Sequence, residues 1–156
     1  MIKAILACCA ATPALAAPSV TDALAACATY IEAGDVGALA AFAPMPPQND
    51  RSPWTASIGD GRLRFSPIAF RGPPIWTCVV DWPADQHVDV PLALARAGFA
   101  PIPDQPGDTA HHYVRCRGDG GEDGVYWVED EEPNYVFLAS RPEARDAQCM
   151  ELPNVS

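Results

Sequence analysis

Four cysteines are the residues with the clearest chemical consequence in this chain of 156 residues. They are Cys27, Cys78, Cys116 and Cys149, and all of them follow an N-terminal segment that has the features of an export signal. An even number of cysteines in a small exported chain predicts a disulfide framework, and the long spacings without Cys-x-x-Cys disfavour a redox pair. Three pairings are possible. We favour Cys27 with Cys78 and Cys116 with Cys149, an arrangement that would fasten both ends of the chain.

Three histidines are the candidates for acid–base or metal chemistry. His111 and His112 are adjacent at the start of a predicted strand, so their rings should point to opposite faces and are poorly placed to share one metal ion. Either ring, or that of His87, could act with a carboxylate as a general base. The chain contains no His-Glu-x-x-His, Gly-x-Ser-x-Gly or phosphate-loop pattern. The sequence therefore identifies no nucleophile, and we expect neither a metal nor a cofactor.

Two acid-rich segments are the other candidates for binding. Residues 119–124 carry three acids among three glycines and could offer oxygen ligands to calcium, but Gly121 takes the third ligand position of an EF-hand loop, so a hairpin turn is the preferred interpretation. Residues 129–132 are all acidic, and in a meander the two segments would lie at opposite ends of the sheet. The residues that could bind a basic protein are Asp119, Glu122, Asp123, Glu129, Asp130, Glu131 and Glu132.

The charge balance argues against two kinds of partner. The chain has 20 acidic and 10 basic residues, which gives a formal net charge of −10. Such a surface repels phosphate backbones and anionic lipid, so we expect no role in binding nucleic acid or membrane surfaces. Solubility is the simplest reason for the charge, and a basic protein partner is the functional alternative. Nothing in the sequence indicates an oligomeric state.

The N-terminal segment predicts export. Residues 1–16 combine Lys3, a short apolar run and a small-x-small cleavage site at residues 14–16. The apolar run is well short of the roughly 20 residues that span a bilayer, so we expect cleavage and a periplasmic or secreted protein. The abundance of Ala, Gly, Pro and Arg is typical of a GC-rich bacterial genome and favours the periplasm. In the alternative, residues 5–8 act as a lipoprotein box and Cys8 carries a lipid anchor.

Helix signals occur in three places. Ser19 and Asp22 have the spacing of a capping box, and Gly34 can end that helix as a left-handed cap. Asp35 can then cap a second short helix, so the two would form an N-terminal helical hairpin. A middle helix is predicted over residues 89–98 and should lie against a sheet. A last helical turn is predicted to open at residues 140–143, again from capping-box spacing.

Strand-like sequence begins at Trp54. The predicted strands are residues 54–58, 62–65, 75–82, 113–117, 125–129 and 135–139. The continuously apolar runs at 78–80 and 135–138 are typical of central strands that are covered on both faces. We therefore expect one α+β domain over residues 17–156, in which the N-terminal helical hairpin and the middle helix pack on an antiparallel sheet of five or six strands with two disulfides.

Two classes of function remain from these observations. We favour a noncatalytic exported binding or inhibitor module, because the chain is small, acidic, rich in rigid Pro-containing loops and without a catalytic signature. The alternative is a small hydrolase or metal-dependent enzyme that uses histidine and carboxylate residues.

Overall fold

The computed structural model describes residues 18–42, 54–68, 75–104, 107–128 and 133–150. Its helical elements are helix α1 (Val20–Ala33), a 3-10 helix (Val36–Phe42), helix α2 (Val90–Arg96) and helix α3 (Ala147–Met150). Its strands are β1 (Trp54–Ile58), β2 (Gly61–Ile68), β3 (Ile75–Trp82), β4 (Ala100–Ile102), β5 (Ala110–Cys116), β6 (Glu122–Val128) and β7 (Asn134–Arg141).

The strands form one antiparallel sheet in the order β1-β2-β3-β7-β6-β5-β4. It consists of two meanders, β1 to β3 and β4 to β7, which join where β3 pairs with β7. The α+β class is confirmed, but the sheet formed by the described residues has seven strands and not five or six. The strand missing from the prediction is β4, which contains Pro101. Proline is tolerated there because β4 is an edge strand of the sheet as described, with β5 as its one neighbour among these strands.

Helix α1 begins and ends at the predicted capping residues. The Ser19 hydroxyl accepts a hydrogen bond from the Asp22 backbone N–H at 3.2 Å, and the Asp22 carboxylate accepts one from the Ser19 backbone N–H at 2.8 Å. Gly34 closes the helix with φ +71°. The second arm of the predicted hairpin differs, because it is a 3-10 helix. Asp35 accepts a hydrogen bond from the Gly37 N–H at 2.8 Å, two residues away, and this contact tightens the first turn.

Helix α2 starts as the sequence predicts. The Asp89 side chain accepts a hydrogen bond from the Leu92 backbone N–H at 3.0 Å, and Pro91 lies in the first turn. Its backbone lies closest to α1, which crosses the central strands β3 and β7. Its buried residues Val90 and Leu94 belong to the same core as Tyr113 and Trp127 on the sheet.

A disulfide joins α1 to the centre of the sheet. Cys27 and Cys78 are bonded and both are 0 % exposed, with α1 packed over β3 and β7. The second bridge joins Cys116, at the end of β5, to Cys149 in α3. These bridges are the pairing that the sequence analysis favoured. Each bridge ties a helix to a strand, so both ends of the described chain are anchored to the sheet.

The two faces of the sheet have different surroundings. Cys78 and its direct partners Phe65 and Leu138 point toward α1, and we call this the helix-covered face. Val79 and its partner Phe137 point the other way, onto what we call the open face, where both are half-buried. The continuous apolar runs predicted cover on both faces, but the described residues place only the C-terminal segment, at one end, against the open face.

The C-terminal segment departs from its prediction. Ser140 does not begin a helix, because it lies within β7 and its hydroxyl accepts a hydrogen bond from the Trp76 backbone N–H at 2.9 Å. Helix α3 starts seven residues later, at Ala147. The side chain of Asp146 accepts a hydrogen bond from the Gln148 backbone N–H at 2.9 Å and supports this late start.

Candidate functional site

A groove crosses strands β5, β6 and β7 on the open face. Its floor is formed by Val114, Gly124 and Ala139, which are direct cross-strand partners. Glycine has no side chain and alanine only a methyl group, so this row lies lower than the rows on either side of it. The groove has a volume of about 430 Å³. The floor thus owes its depth to two small residues placed opposite each other by the register.

An aromatic wall borders one side of the floor. It consists of His112, Tyr126 and Phe137, which are again direct partners across the same three strands and are all half-buried. The rings of His112 and Tyr126 meet edge to face with centroids 5.4 Å apart. Ile102, the partner of His112 on β4, extends this side of the groove to the edge of the sheet. The wall is therefore a surface suited to an apolar ligand.

A polar wall borders the other side and is held by Glu122, which is 0 % exposed. One carboxylate oxygen accepts a hydrogen bond from Arg141 Nη1 at 2.7 Å. The other oxygen accepts hydrogen bonds from the backbone N–H groups of Arg145 and Asp146, both at 2.9 Å. Glu122 thereby fixes the chain that leads into α3, in addition to the disulfide at Cys149.

The hydrogen bonds decide the charge state of Glu122. Burial by itself raises the pKa of this carboxyl, but the backbone N–H groups of Asp146 and Arg145 and the Arg141 guanidinium outweigh burial and hold its pKa below the ordinary value. The polar wall therefore contains an ionised carboxylate whose oxygens are engaged within the protein at neutral pH.

The guanidinium of Arg141 extends over the floor of the groove. A Cβ atom at Gly124 would lie 3.7 Å from Arg141 Cζ and 3.8 Å from Nη2, so the guanidinium lies directly above this glycine. Its side chain is 48 % exposed. Among the described residues, Glu122 is the only hydrogen-bond partner of the Arg141 side chain, through Nη1. The edge formed by Nε and Nη2 is therefore open to a ligand.

Asp123, the next residue along β6, serves the opposite face. Its carboxylate is 0 % exposed and accepts hydrogen bonds from Arg115 Nη2 at 2.6 Å and Nε at 3.0 Å. Arg115 also donates to the carbonyl oxygens of Ala28 in α1 and Ala97 after α2. Burial raises the pKa of Asp123 although arginines surround it. This cluster joins both helices to the sheet and lies away from the groove.

The acidic residues that the sequence analysis grouped are not brought together by the described structure. Asp119 lies in the β5–β6 turn with its side chain 67 % exposed, and the Gly121 N–H that it binds lowers its pKa. Glu122 and Asp123 belong to β6 and point to opposite faces. Glu129, Asp130, Glu131 and Glu132 lie outside the described residues. Binding of a basic protein to an acidic surface stays a hypothesis that depends on residues other than the two buried carboxylates.

The three histidines are also separated. The rings of His111 and His112 contact Trp127 and Tyr126 respectively, which lie on opposite faces. His111 Nδ1 lies 3.3 Å from the Asp104 carboxylate, and both residues line a pocket of about 380 Å³. His87 is exposed and lines a separate pocket of about 180 Å³. Within the described part of the chain, no three His, Cys, Asp or Glu residues converge to hold a metal ion.

Of the residues that shape the groove, only Glu122 and His112 were among the candidates predicted from the sequence. The one available signal was the apolar run 135–138, whose Phe137 lies on the open face. Gly124 gave no such signal, because the sequence places it in the predicted turn at residues 119–124, whereas β6 already begins at Glu122. The register that aligns Gly124 with Ala139 could not be read from the sequence.

Comparisons with known proteins give no assignment. No protein-family model matches the chain, and no curated protein or solved structure matches it significantly. Among the described residues, no helix has the length and hydropathy needed to cross a membrane. Any function must therefore be argued from the groove and the other sites described above.

Proposed function

We propose that the protein is a noncatalytic exported binding module and that the groove on the open face binds a small apolar molecule. The observation that carries the proposal is the low row of Val114, Gly124 and Ala139 between the aromatic wall and Arg141. The volume of the groove, about 430 Å³, falls within the range of pockets that hold small molecules. Apolar walls with a few placed polar groups are the usual composition of such sites.

Two features of the groove support binding over a purely structural role. Tyr126 and Phe137 remain half-buried in the middle of the sheet, so part of each ring is available to an apolar ligand. The polar wall is also held in place, because Glu122 and the Cys116–Cys149 bridge fix the segment that leads into α3. A rigid site loses little conformational freedom when a ligand binds.

Export is part of the proposal, and two disulfides in a small domain support it. Expression of the full chain in a bacterium with a periplasm, followed by intact-mass measurement, tests it. The expected product lacks residues 1–16 and has no free thiols. A product that keeps the leader, or that has reduced cysteines, would contradict export with cleavage. An added lipid mass on Cys8 would instead support the lipoprotein alternative.

A groove-filling substitution tests the binding site. The purified oxidised protein is titrated with Nile red, an uncharged apolar dye whose emission rises in apolar surroundings. Gly124→Val should abolish the increase, because the new side chain occupies the floor. A Cβ at this position makes only an ordinary contact with Arg141, and the half-exposed Arg141 side chain has to move to admit the two methyl groups. Valine is favoured in strands, so the substitution should not disrupt the fold.

Ser57→Val is the matched control. It also adds an apolar side chain to the open face, but on the exposed edge strand β1, four strands from β6. This variant should bind the dye as the unsubstituted protein does. Binding that survives Gly124→Val, or no binding by the unsubstituted protein, would overturn the proposed function.

A hydrolase is the second candidate, and the pair of His111 and Asp104 favours it. A carboxylate 3.3 Å from Nδ1 orients an imidazole as in general-base sites, and the pocket of about 380 Å³ beside it could admit a substrate. His111 also packs against Trp127, with ring centroids 4.8 Å apart, and this packing is the structural alternative to a catalytic role for the histidine. Hydrolysis of p-nitrophenyl acetate that is lost in His111→Gln and retained in His87→Gln would support the enzyme. Equal rates in both variants would exclude this role of His111.

A further inference from the structure

We infer that the ligand of the groove carries a carboxylate, which the Nε–Nη2 edge of Arg141 binds while its apolar part lies against the aromatic wall. The inference rests on the proposed function and specifies the ligand class of the same site: a small amphiphilic acid with an unbranched or aromatic apolar body. It follows from the position of Arg141, the partners of its nitrogens and the dimensions of the aromatic wall.

The position of Arg141 gives the first argument. Its guanidinium lies above Gly124, the middle residue of the floor, on the side of the polar wall. A ligand that packs against the aromatic wall therefore meets this cation across the floor. The aromatic wall is on the other side of the floor, so a molecule with one anionic end and an apolar body matches both surfaces.

The partners of the guanidinium nitrogens give the second argument. Nη1 donates to Glu122, and among the described residues neither Nε nor Nη2 donates to any group. These two nitrogens form one edge of the planar guanidinium, and their N–H groups match the two oxygens of a carboxylate. The hydrogen bond from Nη1 to Glu122 fixes the orientation of the guanidinium plane and leaves the Nε–Nη2 edge available to a ligand.

The neighbouring charges do not already satisfy Arg141. The Glu122 carboxylate is shared with the Arg145 and Asp146 backbone N–H groups and is fully buried. The other charged or titratable side chains on the groove, apart from its tyrosines, are those of Arg145, Asp146 and His112. The Asp146 carboxylate accepts a hydrogen bond from the Gln148 N–H, so one of its oxygens is engaged with α3. An incoming carboxylate thus meets two arginines and two carboxylates, and both oxygens of Glu122 and one of Asp146 already accept hydrogen bonds within the protein.

The size of the aromatic wall selects the apolar part. Neighbouring strands are roughly 4.8 Å apart, so the row from Phe137 to Ile102, which crosses four strands, spans roughly 14 Å. This length accommodates a medium alkyl chain or a single aromatic ring system and not an extended polymer. Decanoate is therefore a suitable probe.

The test compares three probes of equal tail length by isothermal titration calorimetry on the purified oxidised protein at neutral pH. They are decanoate, 1-decanol and decylamine. Decanoate should bind at least about tenfold more tightly than 1-decanol, as expected for one hydrogen-bonded charge pair, and decylamine should bind most weakly. Arg141→Met should remove the preference for decanoate over 1-decanol.

A second variant guards against unfolding, because Arg141→Met alone leaves the Glu122 carboxylate buried without its cation. The double variant Glu122→Gln/Arg141→Met removes both charges and should show the same loss of preference. Arg64→Met is the matched control. Arg64 lies on the same face, is 45 % exposed and forms one ion pair, with Asp81, but it is on β2.

The outcomes separate the inference from the proposed function. Equal binding of decanoate and 1-decanol, both abolished by Gly124→Val, would overturn the carboxylate inference and leave the binding groove intact. A preference for decanoate that persists in both Arg141 variants would also overturn it. If neither probe binds, and Nile red does not bind either, the proposed function fails as well. Loss of the preference in Arg64→Met as well as in Arg141→Met would show a general charge effect and contradict the role of Arg141.

Discussion

Glu122 and Arg141 are direct partners across strands β6 and β7, and a 2.7 Å hydrogen bond joins Glu122 Oε1 to Arg141 Nη1. This pair has two structural roles at one end of the sheet. Glu122 holds the backbone that leads into α3, and Arg141 extends over the floor of the groove. The shape of the groove and the anchoring of the C-terminal segment therefore depend on the same carboxylate.

Glu122→Gln should lower stability in a pH-dependent way. The pKa of Glu122 is lower in the folded protein than in the unfolded chain, so its contribution is present at neutral pH and is lost as pH falls through the folded-state pKa. The variant should lose about 1.5–3 kcal/mol of unfolding free energy at pH 7, as expected for hydrogen bonds to a charged group. Urea denaturation at pH 7 and at pH 3 measures the difference, which should shrink at pH 3. Glu143→Gln, at an exposed position, is the control, and an equal loss at both pH values would contradict the prediction.

Asp123→Asn should destabilise the packing of both helices. The substitution removes the partner of Arg115, which is largely buried and bonded to the carbonyl oxygens of Ala28 and Ala97. Breaking a buried ion pair on one side typically costs about 3–5 kcal/mol. Thermal unfolding should show a large fall in Tm, whereas Asp119→Asn, at an exposed turn position, should change Tm little. Similar effects of the two substitutions would indicate that the buried pair is not important for stability.

Gly34→Ala and Gly59→Ala distinguish two reasons why a position requires glycine, namely a positive φ angle and a lack of space for a Cβ atom. Both residues have positive φ, +71° and +55°, which costs a residue with a Cβ roughly 1–2 kcal/mol. A Cβ at Gly34 would also overlap the indole of Trp76, whereas a Cβ at Gly59 meets nothing within 4 Å. Gly34→Ala should therefore lose clearly more unfolding free energy than Gly59→Ala in chemical denaturation. Equal losses would show that the contact with Trp76 relaxes at no cost.

The two disulfides should differ in importance. In the chain-entropy model each contributes about 4 kcal/mol, because the sequence separations are 51 and 33 residues. Cys27 and Cys78 are also part of the core, so Cys78→Ser should fail to accumulate in the periplasm or show the larger fall in Tm. Cys149→Ser should accumulate with a smaller fall. Normal yield and Tm for Cys78→Ser would show that the bridge to α1 is dispensable.

Local signals in the sequence were sufficient for most individual elements. The spacing of Ser19 and Asp22, with Gly34 at the other end, identified α1, and the bounds predicted for β1 and β3 agree with the structure. Strand β4 was missed because Pro101 argues against a strand unless its edge position is known. The late start of α3 was missed for a similar reason, since the capping-box spacing at Ser140 gives no indication that β7 continues to Arg141.

The sequence by itself determined the helix caps, the alternation of the strands and the presence of four cysteines after a leader-like segment, because these depend on residues close together in the chain. Tertiary structure alone decided which rows align across β5, β6 and β7. Pairing sets Gly124 beside Ala139, and Glu122 beside Arg141. Register is a property of strands brought together from distant parts of the chain. The groove, and the exposure of Arg141 within it, therefore emerge only when the sheet is assembled.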